Sequence, residues 1–216
     1  MPDFRVALVR ASLVRPTQRL MEIVERTLAP LVSRAGKTLI LSRPDTASAA
    51  ELQIHFVSRA DSPVRMGEQF IGQGPVRLIF GDEGGGNVFV GAMEELRVGG
   101  VAQAPQTGPL ASRGLARDYA ATVQSVFRNG EPAFAQFAAN VAIHEMGHII
   151  AALPHSSAFS NYMATGQSVP AGDARTLAGM RSFWAGAKSF DAAQVARLVP
   201  RIASGNFAGG MRVGPP

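Results

Sequence analysis

Residues Val141 to Met163 read VAIHEMGHIIAALPHSSAFSNYM, and the rest of the chain is best read outward from them. Three of the four histidines, His144, His148 and His155, fall in this stretch. His144-Glu145-Met146-Gly147-His148 is an H-E-x-x-H segment. Residues four apart share one face of a helix, so both imidazoles reach a single metal ion. Glu145 projects from the same turn, where a carboxylate is placed to take a proton from water. The flanking residues Val141, Ala142, Ile143, Ile149 and Ile150 are apolar, as in a buried helix. Two half-buried imidazoles without a partner would cost desolvation energy. The segment therefore reads as a metal pair rather than two histidines on a wet helix face.

A site of imidazoles suits zinc, which in catalytic sites takes three protein ligands and keeps one position open. The third ligand must come from a short inventory. No cysteine occurs in the chain, and no glutamate follows Glu145. His155, just past Pro154, is the first candidate. Asp173 is the alternative, and Asp191 reads better as a helix N-cap than as a ligand.

With 216 residues, the chain is long enough for one domain with a real core. Its charged fraction is low and its apolar fraction ordinary, as in a globular protein. The net charge is +5, but the basic residues are scattered and form no run, which argues against a nucleic-acid groove. Without cysteine, disulfides and thiol catalysis are excluded. No apolar run reaches the length of a membrane span. The opening MPDFRVALVRASL carries charges inside its apolar run and is no signal peptide, so the cellular address stays open, secretion included.

In chain order, Phe4 to Val9 reads as a first strand. Pro16 opens an amphipathic helix with Leu20, Ile23, Val24, Leu28 and Leu31 on one face, stopped near Gly36. Lys37 to Leu41 and Leu52 to Val57 are the next strands; Leu52, Ile54 and Phe56 share one face of the latter and His55 lies on the other. Arg77 to Phe80 and Val88 to Met93 are two more. The loop between them, Gly81 to Asn87, offers two carboxylates and an amide, oxygen ligands suited to Ca2+; a plain turn is the simpler reading. A helix over Arg113 to Phe127 follows a long Gly/Pro-rich loop. The metal helix runs from about Ala133 to about Ala152 and is ended by Pro154. Residues 156 to 175 are loop-like, Asp191 to Ile202 forms a last helix, and the tail after Ser204 reads as frayed.

These residues resemble the metzincin metallopeptidases, and among them the matrixin-like branch. That signature is H-E-x-x-H-x-x-G-x-x-H followed by a Met-turn. His144, Glu145 and His148 match its first part, Leu153-Pro154-His155-Ser156 its end, and Ser160-Asn161-Tyr162-Met163-Ala164 a Met-turn. Two positions depart from it. Ala151 stands where the family has glycine, and His155 comes one residue late, at the position after Pro154. Ala151-Ala152 in place of one Gly implies a wider reversal of the chain.

The resemblance implies an α+β fold: a small, twisted, mostly parallel sheet with an antiparallel edge strand, packed on the long zinc-binding helix, plus a C-terminal helical subdomain. Residues 1–153 would form the upper part and 154–216 the smaller lower part of one catalytic domain. It implies a monomeric zinc endopeptidase in which zinc on His144, His148 and His155 activates a water, Glu145 takes its proton, and Met163 forms an apolar floor. The substrate would be a protein or peptide lying along an edge strand, for which Val88 to Met93 is the candidate. Two other readings stay open: a zinc hydrolase with Asp173 as third ligand, and a non-catalytic binding module that the metal stabilises.

Overall fold

The structure is a computed structural model that describes residues 1–10, 17–45, 49–56, 87–88, 124–126, 128–164, 168, 173 and 176–208. Strand β1 (Asp3–Arg10) is followed by helix α1 (Gln18–Arg34) and strands β2 (Thr38–Ser42), β3 (Leu52–Phe56) and β4 (Asn87–Val88). Helices α2 (Glu131–Ala151), α3 (Leu177–Ala185) and α4 (Ala192–Ser204) complete the order. Mixed α and β content around a small parallel sheet agrees with the expected class.

The sheet runs β2-β1-β3-β4, and every pairing in it is parallel. Parallel neighbours need a crossover connection, and α1 supplies the one from β1 to β2. On β1, Phe4, Val6 and Leu8 are buried on one face, while Ala7 and Val9 are buried on the other, as suits a central strand. β3 alternates as its sequence requires: Leu52, Ile54 and Phe56 are buried and His55 is half-buried. The described pairings include no antiparallel strand. Of Val88 to Met93 only Val88 is described, and it lies in β4, parallel to β3. The strand read at 77–80, the long Gly/Pro-rich loop read over 98–109, and Gly81 to Gly86 of the calcium-type loop lie outside the described residues. Of the helix read over 113–127, residues 124–126 are helical and the rest lie outside them too.

Thr17 caps α1, its hydroxyl accepting from the Leu20 amide at 3.2 Å. Leu20, Ile23, Val24, Leu28, Leu31 and Val32 are buried, so the apolar stripe read from the sequence is the face that packs. This stripe, the inner face of the sheet and most of α2 make one core. α2 is apolar nearly all round, which is what a helix at the centre of a domain requires. Its buried amide Asn140 accepts from Gln136 and donates to the carbonyls of Trp184 and Gly186 at 2.9 and 2.8 Å. One side chain thus ties the end of α3 to the central helix.

α3 was not expected from the sequence. It is short, holds Gly179 and Gly186 within or beside it, and depends on its Thr176 cap and on packing for its existence. α4 begins where Asp191 was read as an N-cap, with a reciprocal capping box to Gln194. The tail departs from expectation as far as residue 208. Phe207 packs edge-on against Phe4 at 6.0 Å, and the Ala208 amide donates to the Ile150 carbonyl at 3.2 Å. No helix among the described residues is long and apolar enough to cross a membrane.

The end of α2 solves the problem posed by the missing glycine. Ala151 stays helical, and Ala152 takes the left-handed conformation with φ 44°. The last carbonyls of the helix find partners one by one. His148 O accepts from Ala152 N at 2.8 Å, Gly147 O from Leu153 N at 3.3 Å, and Ile150 O from Ala208 N. Arg197, reaching from α4, donates to Ala151 O and Ala152 O at 2.9 and 3.1 Å. An L-residue with a Cβ is strained in this conformation, and a glycine is not. Ala152→Gly should therefore raise stability, by about 1 kcal/mol, in urea denaturation. A loss of stability in that variant would contradict the strained turn.

Candidate functional site

The reversal at Ala152 brings His155 back over the helix. His144, His148 and His155 then offer ring nitrogens that all lie within 4.8 Å of one another. The ring centroids are 4.7 Å (His144–His148), 5.3 Å (His144–His155) and 5.1 Å (His148–His155) apart. His144 and His148 are half-buried and His155 is exposed, so the cluster opens to solvent on the His155 side. Asp173, also a described residue, is not in the group. Its backbone packs instead on Gly179, and its carbonyl accepts from Thr176. Asp191 is occupied as the cap of α4, its Oδ1 accepting from the Gln194 amide at 2.8 Å.

The hydrogen bonds around His144 decide which nitrogen faces inward. The Tyr162 carbonyl can only accept, so His144 Nδ1, 2.8 Å away, carries the proton and donates. Its Nε2 is left as a lone pair, 3.0 Å from His148 Nε2. Two zinc–nitrogen bonds of about 2.0–2.1 Å at the tetrahedral angle set their nitrogens about 3.3 Å apart. The observed pair is within a few tenths of an ångström of that spacing. The His144–His148 pair therefore has the spacing of two ligands on one zinc ion, and the group of three could hold a metal ion. A ring nitrogen held by a backbone carbonyl is also how metal-ligating histidines are usually oriented.

Burial, first, and then the neighbouring His148 disfavour the imidazolium form of His144. Its pKa falls from the ordinary 6.5 to about 3, although the Tyr162 carbonyl acts in the opposite direction. At neutral pH this ring is thus already in the neutral form that a metal needs, and no proton must leave it on binding.

Below the imidazoles, the turn at 158–164 supplies the floor. Met163 is fully buried. A Cβ at Gly147 would stand 2.5 Å from Met163 Sδ and 3.3 Å from Leu153 Cδ1, so this glycine, between Glu145 and His148, is what lets the sulfur approach the helix. The turn is held from several sides. Asn161 Oδ1 accepts from the Met163 amide at 2.8 Å, an Asx-turn, and Asn161 Nδ2 donates to Gln194 Oε1 at 2.9 Å. Tyr162 N donates to Ser189 O, and Ser189 N to Ser160 O. The Ser156 amide donates to Met163 O at 2.9 Å, so the residue after His155 is paired with the floor itself.

Tyr162 does more than pack. Its ring lies 5.0 Å from Phe190, and its hydroxyl is 2.9 Å from Thr27 Oγ1 on α1. Thr27 already donates to Ile23 O, which leaves the Tyr162 hydroxyl as donor in that pair. Its carbonyl holds His144. One residue thereby links α1, the floor and the metal pair. Burial raises its pKa, opposed by the bond to Thr27, so the hydroxyl remains a donor across the neutral range.

Sequence reasoning named the three histidines, Glu145 and Met163, and did not name Tyr162, Asn161, Arg197 or Gln194 as supports. An Asn two residues before Met163 is a local signal for an Asx-turn that sequence does carry. The others act across long separations and leave no local signature. Glu145 is 2% exposed, a buried carboxylate on the same turn of α2 as His144.

Two outcomes follow. Gly147→Ala should displace Met163, cost about 1–3 kcal/mol and weaken zinc binding in a competitive chelator titration; unchanged stability and affinity would contradict the close approach. The second concerns pH. Below 6.5 the unfolded chain binds a proton at His144 that the folded, metal-free protein refuses down to about 3. Stability of the metal-free protein should therefore be constant with respect to this group above pH 6.5 and fall as pH drops from 6.5 toward 3. Chemical denaturation across that window measures it, and His144→Gln should flatten the slope.

Comparison with known proteins adds no relative to this geometry: no family model, no curated protein and no solved structure matches the chain.

Proposed function

We propose that this protein is a zinc-dependent endopeptidase of the metzincin-like kind, with His144, His148 and His155 holding the metal. The observation that carries the reading is the buried Glu145 carboxylate on the turn of α2 that also presents His144. Glu145 follows His144 directly in the H-E-x-x-H segment, the arrangement in which a carboxylate serves as general base to a metal site on the same helix. A purely structural zinc site is also commonly closed by four protein ligands, whereas among the described residues the group holds three, one of them exposed.

Zinc bound there would supply Lewis-acid polarisation of the scissile carbonyl and would lower the pKa of the attacking water. The chain's own residues do the rest. Glu145 takes a proton from that water as it attacks and delivers it to the leaving amine as the peptide bond breaks. Tyr162 and the Ser156–Met163 pairing keep the imidazoles in register while charge develops. The exposed side of His155 leaves the cluster open to an extended peptide.

Replacing Glu145 by Ala should leave one zinc per chain and lower peptide hydrolysis by about 10²–10⁴-fold. Hydrolysis of a casein-type substrate by the original chain should vanish with a chelator and return with zinc. Undiminished cleavage by the zinc-loaded Glu145→Ala protein would sink the assigned role.

A further inference from the structure

Lys188 stands beside the site and belongs to none of the machinery described so far. It lies in the short connection between α3 and α4. Its Nζ donates to the Phe159 carbonyl at 3.0 Å. It also sits 4.1 Å from the centroid of the Phe183 ring and 5.8 Å from that of Phe159. Phe159 belongs to the loop between His155 and Met163. Phe159 and Phe183 pack together with Ala164, the residue that follows Met163. The ammonium is thus built into the wall adjoining the Met163 floor, half-buried and held by a carbonyl and two aromatic faces.

Its charge reaches the site, where it is among the influences opposing protonation of His144. An ammonium has three N–H donors, and the Phe159 carbonyl takes one. Among the described residues, no Asp or Glu lies within ion-pair distance of Nζ. Burial moves its pKa down to about 8, so at pH 7 it is still predominantly cationic. A half-buried cation with donors to spare and no carboxylate partner among the described residues is suited to an anionic ligand.

We propose that Lys188 is a substrate-binding residue that selects peptides presenting a carboxylate to the 159–164 wall, either an acidic side chain or a free C-terminus. This rests on the peptidase reading for its meaning, but it is testable as binding alone. The single tryptophan, Trp184, packs at 5.0 Å on Phe183 and so reports events at this wall by its fluorescence.

The zinc-loaded full chain carrying Glu145→Ala would be titrated with four peptides of one sequence. They bear Glu or Gln at one position and a free or an amidated C-terminus. The expected result is about tenfold tighter binding of a carboxylate form over its amide. Glu over Gln identifies the side chain as the ligand, and acid over amide identifies the C-terminus. Adding Lys188→Met should remove the preference while binding of the amide forms persists, and Lys188→Arg should restore it. A Lys188 that only braced the loop would on removal weaken all four peptides alike. That result, equal affinity for all four in the parent, the lack of any saturable signal, or a preference that survives Lys188→Met would each overturn the proposal. The same peptides offered to the protein with Glu145 intact separate the two claims. Zinc-dependent cleavage without carboxylate preference overturns Lys188 alone. Carboxylate-selective binding without any cleavage supports the anion site and overturns the peptidase reading.

Discussion

The hydrogen bond from His144 Nδ1 to the Tyr162 carbonyl joins the two halves of the site, and most of the lower structure is arranged to keep it. It fixes the tautomer of His144 and aims the free nitrogen at His148. It also fixes the height of the turn beneath, because the next residue, Met163, must then lie against Gly147. The turn cannot drift, since Asn161 is tied to Gln194 and the Tyr162 hydroxyl to Thr27. α1 and α4 are thus tied to the turn that holds His144. The tight approach of Met163 explains why a glycine stands between Glu145 and His148, where a helix would otherwise favour a residue of higher propensity.

The third histidine is delivered by a different device. The helix runs on through Ala151, and the reversal falls on Ala152, an alanine in a conformation that glycine adopts more easily. The strain is offset by partners. Arg197 binds the two carbonyls at the bend, the tail returns to cap Ile150, and Ser156 pairs with Met163 beyond it. His155 is therefore clamped before and after. A path one residue longer than the metzincin signature still brings its ring to within about 5 Å of the other two, as the centroid distances record.

Much of this was legible in the sequence wherever periodicity or punctuation carried it. The apolar stripe of α1, the alternation of Leu52, Ile54 and Phe56, the apolar girth of α2 and the Asp191 cap are local patterns, and each reappears as an element. The pairing of His144 and His148 was legible from their spacing, while His155 was legible only as the first candidate in a short inventory of ligands, with Asp173 as the alternative. α3 was not, because a nine-residue segment holding Gly179 has too little propensity to announce itself and is held by Asn140 from another helix. The bend at Ala152 was not, because nothing in alanine points to positive φ. Arg197, Gln194, Thr27 and Lys188 were not, since each acts on a residue more than two dozen positions away in the chain. Residues 205–208 depart from the frayed tail for the same reason: composition announces Gly and Pro, while Phe207 finds its ring partner at the other end of the chain.

The claim on which everything else stands is that the three imidazoles hold one zinc ion. X-ray absorption at the zinc edge, on protein saturated with one equivalent and freed of excess metal, tests it most directly. The account predicts one zinc per chain, a four-coordinate shell with three imidazole nitrogens at about 2.0–2.1 Å and one further light atom, and the loss of one imidazole in His155→Ala. A chain that retains no zinc, or a shell unchanged by that substitution, would contradict it.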